Sequence, residues 1–183
     1  MARLFRILQF IALFVAVGLV VVLAGQVRGL RSDLSAIKRR ALFPQAGDIV
    51  PPFDATTLDG LPVHIGEGPQ GSRQLLFVFN TKCPICLETA PEWNRLDSLV
   101  RGIPDLTALG WSQHPDSLTR PYVAEHGFRF PVVIPDRRWL RPYKVEGVPN
   151  TLVIASGGRV LWARTGALTE EAVDSAVVFA RGG

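Results

Sequence analysis

The longest uninterrupted apolar stretch lies near the N-terminus. Residues 7–25, ILQFIALFVAVGLVVVLAG, carry no charge and one polar side chain, Gln9. That length is close to the roughly 20 apolar residues that cross a bilayer as a helix, so the segment reads as a retained membrane anchor. The alternative is a cleaved signal peptide, with Arg3 and Arg6 in its leader and small residues at 22–24 as the cleavage site. Beyond it, Val27, Leu30, Leu34, Ile37 and Ala41 repeat at spacings of three and four. This is a helical stripe too short for a coiled coil, and it predicts a stalk helix ended by Pro44 and Gly47.

The pattern then changes period. VPPFDATTLDGLPVHI predicts two short extended pieces about the turn Asp59-Gly60. LLFVFN, 75–80, is apolar at nearly every position, as a strand covered on both faces would be. PICLETAPEWNRLDSLVRG predicts a helix with Ile85, Leu87, Trp93, Leu96, Leu99 and Val100 on its apolar face, kinked at Pro91 and ended by Gly102. A strand at 106–112, a helix from Asp116, an extended RFPVVIPD and a short turn at RRWLRPYKV follow. NTLVIAS and RVLWART flank Gly157-Gly158 as a hairpin. The last helix starts at Thr169, a side chain suited to capping, with Glu170 and Glu171 in its first turn. The order predicts an α/β fold: a mixed central sheet flanked by helices, with its last two strands antiparallel. The expected organisation is an anchor over 1–26, a stalk over 27–46 and one folded domain over 47–183.

Charge changes the picture in one respect. Of 20 basic and 16 acidic residues, seven basic and one acidic fall within 1–43. The remaining thirteen basic and fifteen acidic residues leave the domain nearly neutral, which excludes an electrostatic basis for nucleic-acid binding. The basic arm suits a surface of anionic lipid. Its cluster at 38–40 favours a cytoplasmic domain by the positive-inside rule, whereas the short basic N-tail is that of an export signal.

Both cysteines of the chain, Cys83 and Cys86, lie in FNTKCPICLETAP. The strand–turn–helix pattern puts Cys83 at a helix N-terminus and Pro84 at the first helical position, where a missing N–H is no loss. The unpaired amides there favour a thiolate, and Lys82 adds positive charge. Cys86 follows one turn on, on the same face and deeper in the helix. The arrangement predicts a two-step exchange, with Cys83 attacking and Cys86 resolving. A zinc site would need a second pair of ligands, and His64, His114 and His126 are scattered. A structural disulfide closing so short a loop would constrain little.

PPFDATTLDG, LLFVFNTKCPICLETAP, YKVEGVPNTLVI and the Gly-Gly hairpin together resemble the thioredoxin-like, membrane-anchored redoxins of the TlpA, ResA and MauD group, over about residues 48–183. Anchor, stalk and CPxC pair are most similar in layout to the MauD type. The resemblance implies a thioredoxin-like fold with Pro149 cis, preceded by Val148 and facing the cysteine pair. It also implies a protein disulfide exchanger tethered to the cell membrane by residues 7–25, its domain on the extracytoplasmic, periplasmic side. The partners implied are cysteine-containing extracytoplasmic proteins and a membrane or periplasmic thiol redox protein. No cofactor beyond a redox-active Cys83–Cys86 disulfide, and no metal, is expected.

Three positions depart from the pattern. Lys82 stands where thioredoxins have tryptophan, Phe77 where they have a buried aspartate, and Thr89 where ResA-like reductases have glutamate. Without a base for Cys86, the pair is expected to serve better as an oxidant. A ResA-like reductase for cytochrome c maturation is the alternative; Glu146 reads first as a solvated loop carboxylate and second as a substitute acid. The non-enzymatic alternative is a tethered interaction module with an inert disulfide. The peroxiredoxin pattern fails at Leu76 and Asn80, and a Sco-like copper site would need CxxxC.

Overall fold

The computed structural model describes the backbone of residues 2–182 and the side chains of residues 16–182 except 33, 36, 37 and 39. The chain divides into two units, Met1–Arg40 and Ala41–Gly183. Helix α1, Ala2–Leu42, a single run of 41 residues, takes up the first unit, and its last two residues belong to the second. The side chains at 7–15, half of the expected anchor, lie outside the described residues. Among the described residues no helix is long and apolar enough to cross a membrane.

The second unit carries a five-stranded sheet with order β5-β4-β3-β6-β7. β3 (Arg73–Phe79) and β4 (Leu106–Ser112) are parallel, β5 (Val132–Val133) is parallel to β4, and β6 (Asn150–Ala155) and β7 (Val160–Thr165) are antiparallel to their neighbours. Helices α2 (Pro84–Val100), α3 (Asp116–Glu125) and α4 (Glu170–Arg181) complete the α/β architecture. A separate hairpin of β1 (Phe53–Thr56) and β2 (Pro62–Ile65) precedes the sheet. The mixed sheet and the antiparallel final hairpin agree with the expectation.

The apolar run of β3 has the physical cause anticipated for it. Leu75, Phe77 and Phe79 face a cluster containing Trp93, Leu96, Val173 and Ala176 from α2 and α4. Leu76 and Val78 face the opposite cluster, with Phe53, Ile65, Trp111 and Tyr143. All five β3 side chains are fully buried, as expected for a strand covered on both sides. Phe77 therefore replaces a carboxylate with a ring packed 4.6 Å from Phe130 and 5.9 Å from Trp93, centroid to centroid.

One detail, the covered face of α2, differs from the sequence reading. The inward face of α2 is formed by Cys86, Thr89, Ala90, Trp93, Leu96, Asp97 and Val100. Ile85, Leu87 and Leu99 are instead 44, 54 and 43% exposed, because their positions fall outside the arc that meets the sheet. α2 runs unbroken through Pro91. RFPVVIPD contributes only the two residues of β5, since Pro131 has no N–H for the ladder. Elsewhere the caps act as anticipated: Thr169 accepts from the Ala172 N–H at 3.3 Å. Gly158, at φ +74°, closes the β6–β7 turn beneath Val50, whose carbonyl oxygen would lie 2.2 Å from an added Cβ.

Candidate functional site

The site forms where the C-terminal ends of β3 and β4 meet the loop that enters β6. The chain leaves β3 at Phe79 and turns on Asn80. The Asn80 side chain accepts from the Lys82 N–H at 2.9 Å and its carbonyl from the Cys83 N–H at 3.1 Å. This turn delivers Cys83 as the N-cap of α2, with extended backbone, and Pro84 follows at the first helical position. The Cys83 sulfur accepts from the Cys86 N–H at 3.3 Å, so a thiol occupies the role an N-cap oxygen commonly plays.

The two thiols sit in different surroundings. Cys83 is half-buried, and Cys86 is wholly buried within the cluster that holds Trp93 and Tyr122; both are free. Burial pushes the Cys86 thiol well above the ordinary range, and its interaction with Cys83 adds to this, against an opposing backbone bond from Asn80. Among the described residues no carboxylate takes part. Thr89 is buried, and its hydroxyl donates to the Ile85 carbonyl at 2.6 Å, so it serves its own helix.

Opposite stands the loop containing the cis peptide bond Val148–Pro149. The Cys83 thiol donates to the Val148 carbonyl oxygen across 3.8 Å. Buried Asn150 holds this loop through bonds to the Gly147 carbonyl and from the Thr165 hydroxyl, the latter 2.6 Å. Gln113, beyond β4, donates from its side chain to the Val145 carbonyl at 2.7 Å. Trp93 of α2 donates to Thr151 Oγ1 of β6 at 2.9 Å inside the core. Cys83, Cys86, Pro84, Val148 and Pro149 thus share one locale. The Lys82 side chain is exposed beside it. Glu146 is 54% exposed and lies 3.8 Å from Arg141, a solvated loop carboxylate.

Two neighbours of the site were not singled out from the sequence. The Thr81 hydroxyl is 2.5 Å from His114 Nδ1, linking the approach to Cys83 with the loop after β4. The Tyr122 hydroxyl is buried without a hydrogen-bond partner, and burial, with both thiols nearby, holds its proton well above the usual phenol range. The other histidines lie apart, His64 on Asp54 and His126 stacked on Tyr122. Among the described residues no three potential metal ligands gather.

Known proteins resemble this chain in sequence and fold. The thiol-disulfide oxidoreductase ResA of Halalkalibacterium halodurans is 25% identical over 133 residues, covering 71% of this chain and 74% of that protein. No protein-family model matches the chain. A Chlorobium tepidum structure described as a thiol:disulfide interchange protein, DsbE, superposes with a TM-score of 0.64 at 21% identity, covering 76% of this chain and 99% of its own. StoA of Bacillus subtilis gives 0.59 at 14% identity, covering 72 and 97%. The fold is thioredoxin-like, and the chain is similar to redoxins of the TlpA and ResA type.

Proposed function

We propose that this chain is a membrane-tethered thiol-disulfide oxidoreductase acting on cysteine-containing extracytoplasmic proteins, in a maturation role like that of the MauD type. One observation carries the reading: a half-exposed sulfur caps α2 beside the Val148 carbonyl, and a second thiol lies fully buried one turn on. The name and likeness of the ResA relative support the same activity.

The exchange balances as follows. A partner thiolate attacks the Cys83 sulfur of the Cys83–Cys86 disulfide. The S–S bond breaks, and Cys86 leaves with the electron pair and takes a proton. The mixed disulfide then has two fates. A second partner thiol attacks the partner's own sulfur and expels Cys83, so the partner leaves oxidised by two electrons. Otherwise Cys86 loses its proton, attacks Cys83 and returns the partner reduced. Burial keeps the Cys86 thiol protonated, and neither Thr89 nor Glu146 is placed to remove its proton. This disfavours the second fate, so the pair works as an oxidant of partner dithiols. The Val148 carbonyl and Pro149 form the edge along which a partner strand lies beside Cys83.

The tether is supported by the apolar side chains of α1. Val17, Leu19, Val20, Val21 and Val22 are each more than half exposed, which suits lipid. A disulfide oxidant belongs where disulfides persist, so the domain is assigned to the extracytoplasmic side. In cells, the Cys83 thiolate of Cys86→Ser should attack partner disulfides, each attack expelling one partner sulfur as thiolate, and accumulate mixed disulfides that reductant releases, and Cys83→Ser none. Protease added to intact spheroplasts should remove the domain. Trapping by neither variant would leave the inert interaction module as the better description, and a protected domain would place it in the cytoplasm.

A further inference from the structure

The opposite end of the sheet carries an unfilled place. Along β4, the hydrogen bonds assign each main-chain group a side. The Arg73 N–H donates to the Asp105 carbonyl at 2.8 Å, and the Gln113 N–H to the Phe79 carbonyl at 3.0 Å. Odd-numbered groups of β4 therefore face β3. The Gly110 N–H donates to the Pro131 carbonyl at 2.8 Å, so even-numbered groups face β5. The ladder with β5 covers only Gly110 and Trp111. In this parallel register the donor to the Ala108 carbonyl would be residue 131, which is a proline. Among the described residues, the N–H and C=O groups of Leu106 and Ala108 have no partner.

The chain does not close over this edge. A cleft of about 260 Å³ lies on it, walled by Val100 and Gly102 on one side and by Phe130 and Pro131 on the other. Two arginines line the same cleft. Arg101 is paired with the buried carboxylate of Asp97. Arg129 is exposed and makes no ion pair or hydrogen bond among the described residues. An exposed strand edge is a template for another strand, and a cationic side chain at its end selects the charge of what binds.

We propose that the Leu106–Ala108 edge is a docking site for an extended segment of a partner protein bearing an acidic side chain, which pairs with β4 and sets its carboxylate against Arg129. A second copy of this chain fits poorly, because pairing two such edges would bring Arg101 and Arg129 of both copies together. The site lies about 20 Å from the thiol end of the sheet, six strand steps away. A docked partner would leave Cys83 free to react.

The test uses the full chain in detergent micelles and the capped hexapeptide VTVDVT. Amide hydrogen exchange at Leu106 and Ala108 should slow at least tenfold when the peptide is saturating. Arg129→Ala should weaken VTVDVT about threefold, the size of an exposed ion pair, and leave VTVNVT unchanged. Ala108→Pro, tolerated on an open edge, should weaken both peptides about tenfold. Exchange with a small disulfide should be unaltered throughout, so this proposal and the thiol assignment fail separately. Unchanged exchange at both amides with millimolar peptide would overturn the proposal. So would equal affinity for VTVKVT, or protection that rises with protein concentration without peptide, the mark of a second copy.

Discussion

The Cys83 sulfur lies 3.8 Å from the carbonyl oxygen of Val148, although 65 positions separate the two residues. Strand pairing brings them together: β3 ends just before Cys83, β6 begins just after Pro149, and the two strands are bonded neighbours. From this arrangement follow expectations for each thiol and for the residues behind them.

Iodoacetamide should label Cys83 at least tenfold faster than Cys86 in the folded dithiol protein, since one sulfur is half-exposed and the other fully buried. Peptide mass spectrometry after short pulses reads the ratio. Equal labelling, or faster labelling of Cys86, would overturn the assignment of attacking and resolving thiols.

The raised proton affinity of Cys86 makes stability depend on pH in one direction. The folded thiol stays protonated where the unfolded one ionises, near pH 8.5. The contribution is complete below that value and is lost as pH rises toward the folded value. Urea unfolding of the dithiol form should therefore show stability falling above about pH 8.5, by up to about 1.4 kcal/mol per pH unit for this group. Cys86→Ala should flatten the first part of that fall. A profile identical to wild type would remove Cys86 as its cause.

Tyr122→Phe should stabilise the domain by about 1 kcal/mol, because it deletes a buried hydroxyl without a partner. The ring keeps its stacking on Phe79, 5.5 Å between centroids. A loss of stability in urea titration would mean that the hydroxyl has a partner.

Thr151→Val should cost roughly 2 kcal/mol, since it leaves the buried Trp93 N–H unsatisfied. The same variant should slow disulfide exchange, because that bond holds α2 to the strand following Pro149. Unchanged stability with unchanged exchange would show the contact to be incidental.

His114→Ala should slow exchange about threefold, the worth of one hydrogen bond to the loop that carries Cys83. His114→Gln, with an amide able to bond Thr81, should recover most of that rate. Equal loss in both variants would point to a general disturbance of the loop.

The cysteine site was legible because its signals are local. An apolar run, a turn and a proline at the first helical position place Cys83 on a cap within one short stretch. Val148 and Pro149 were legible only through the resemblance, since nothing local connects them to Cys83. The Thr81–His114 contact was not legible, because it depends on β4 lying beside β3 so that the ends of both strands coincide. The faces of α2 are only partly legible for a related reason. Ile85 and Leu87 lie on the same turns as the buried residues, and only the angle at which α2 meets the sheet decides which side chains are covered.

The ladder between β3 and β6 has a mechanical meaning. Six paired positions, Arg73 to Val78 against Ala155 to Asn150, fix the spacing of the two walls between which Cys83 reacts. A gap framed by a sheet does not widen to admit a bulky or rigid protein surface. Accommodation then falls to the other molecule, whose cysteines must arrive on a segment supple enough to straighten. On the proposed function, the protein would discriminate by the looseness of its partners, exchanging disulfides with chains that are still folding and passing over those already compact.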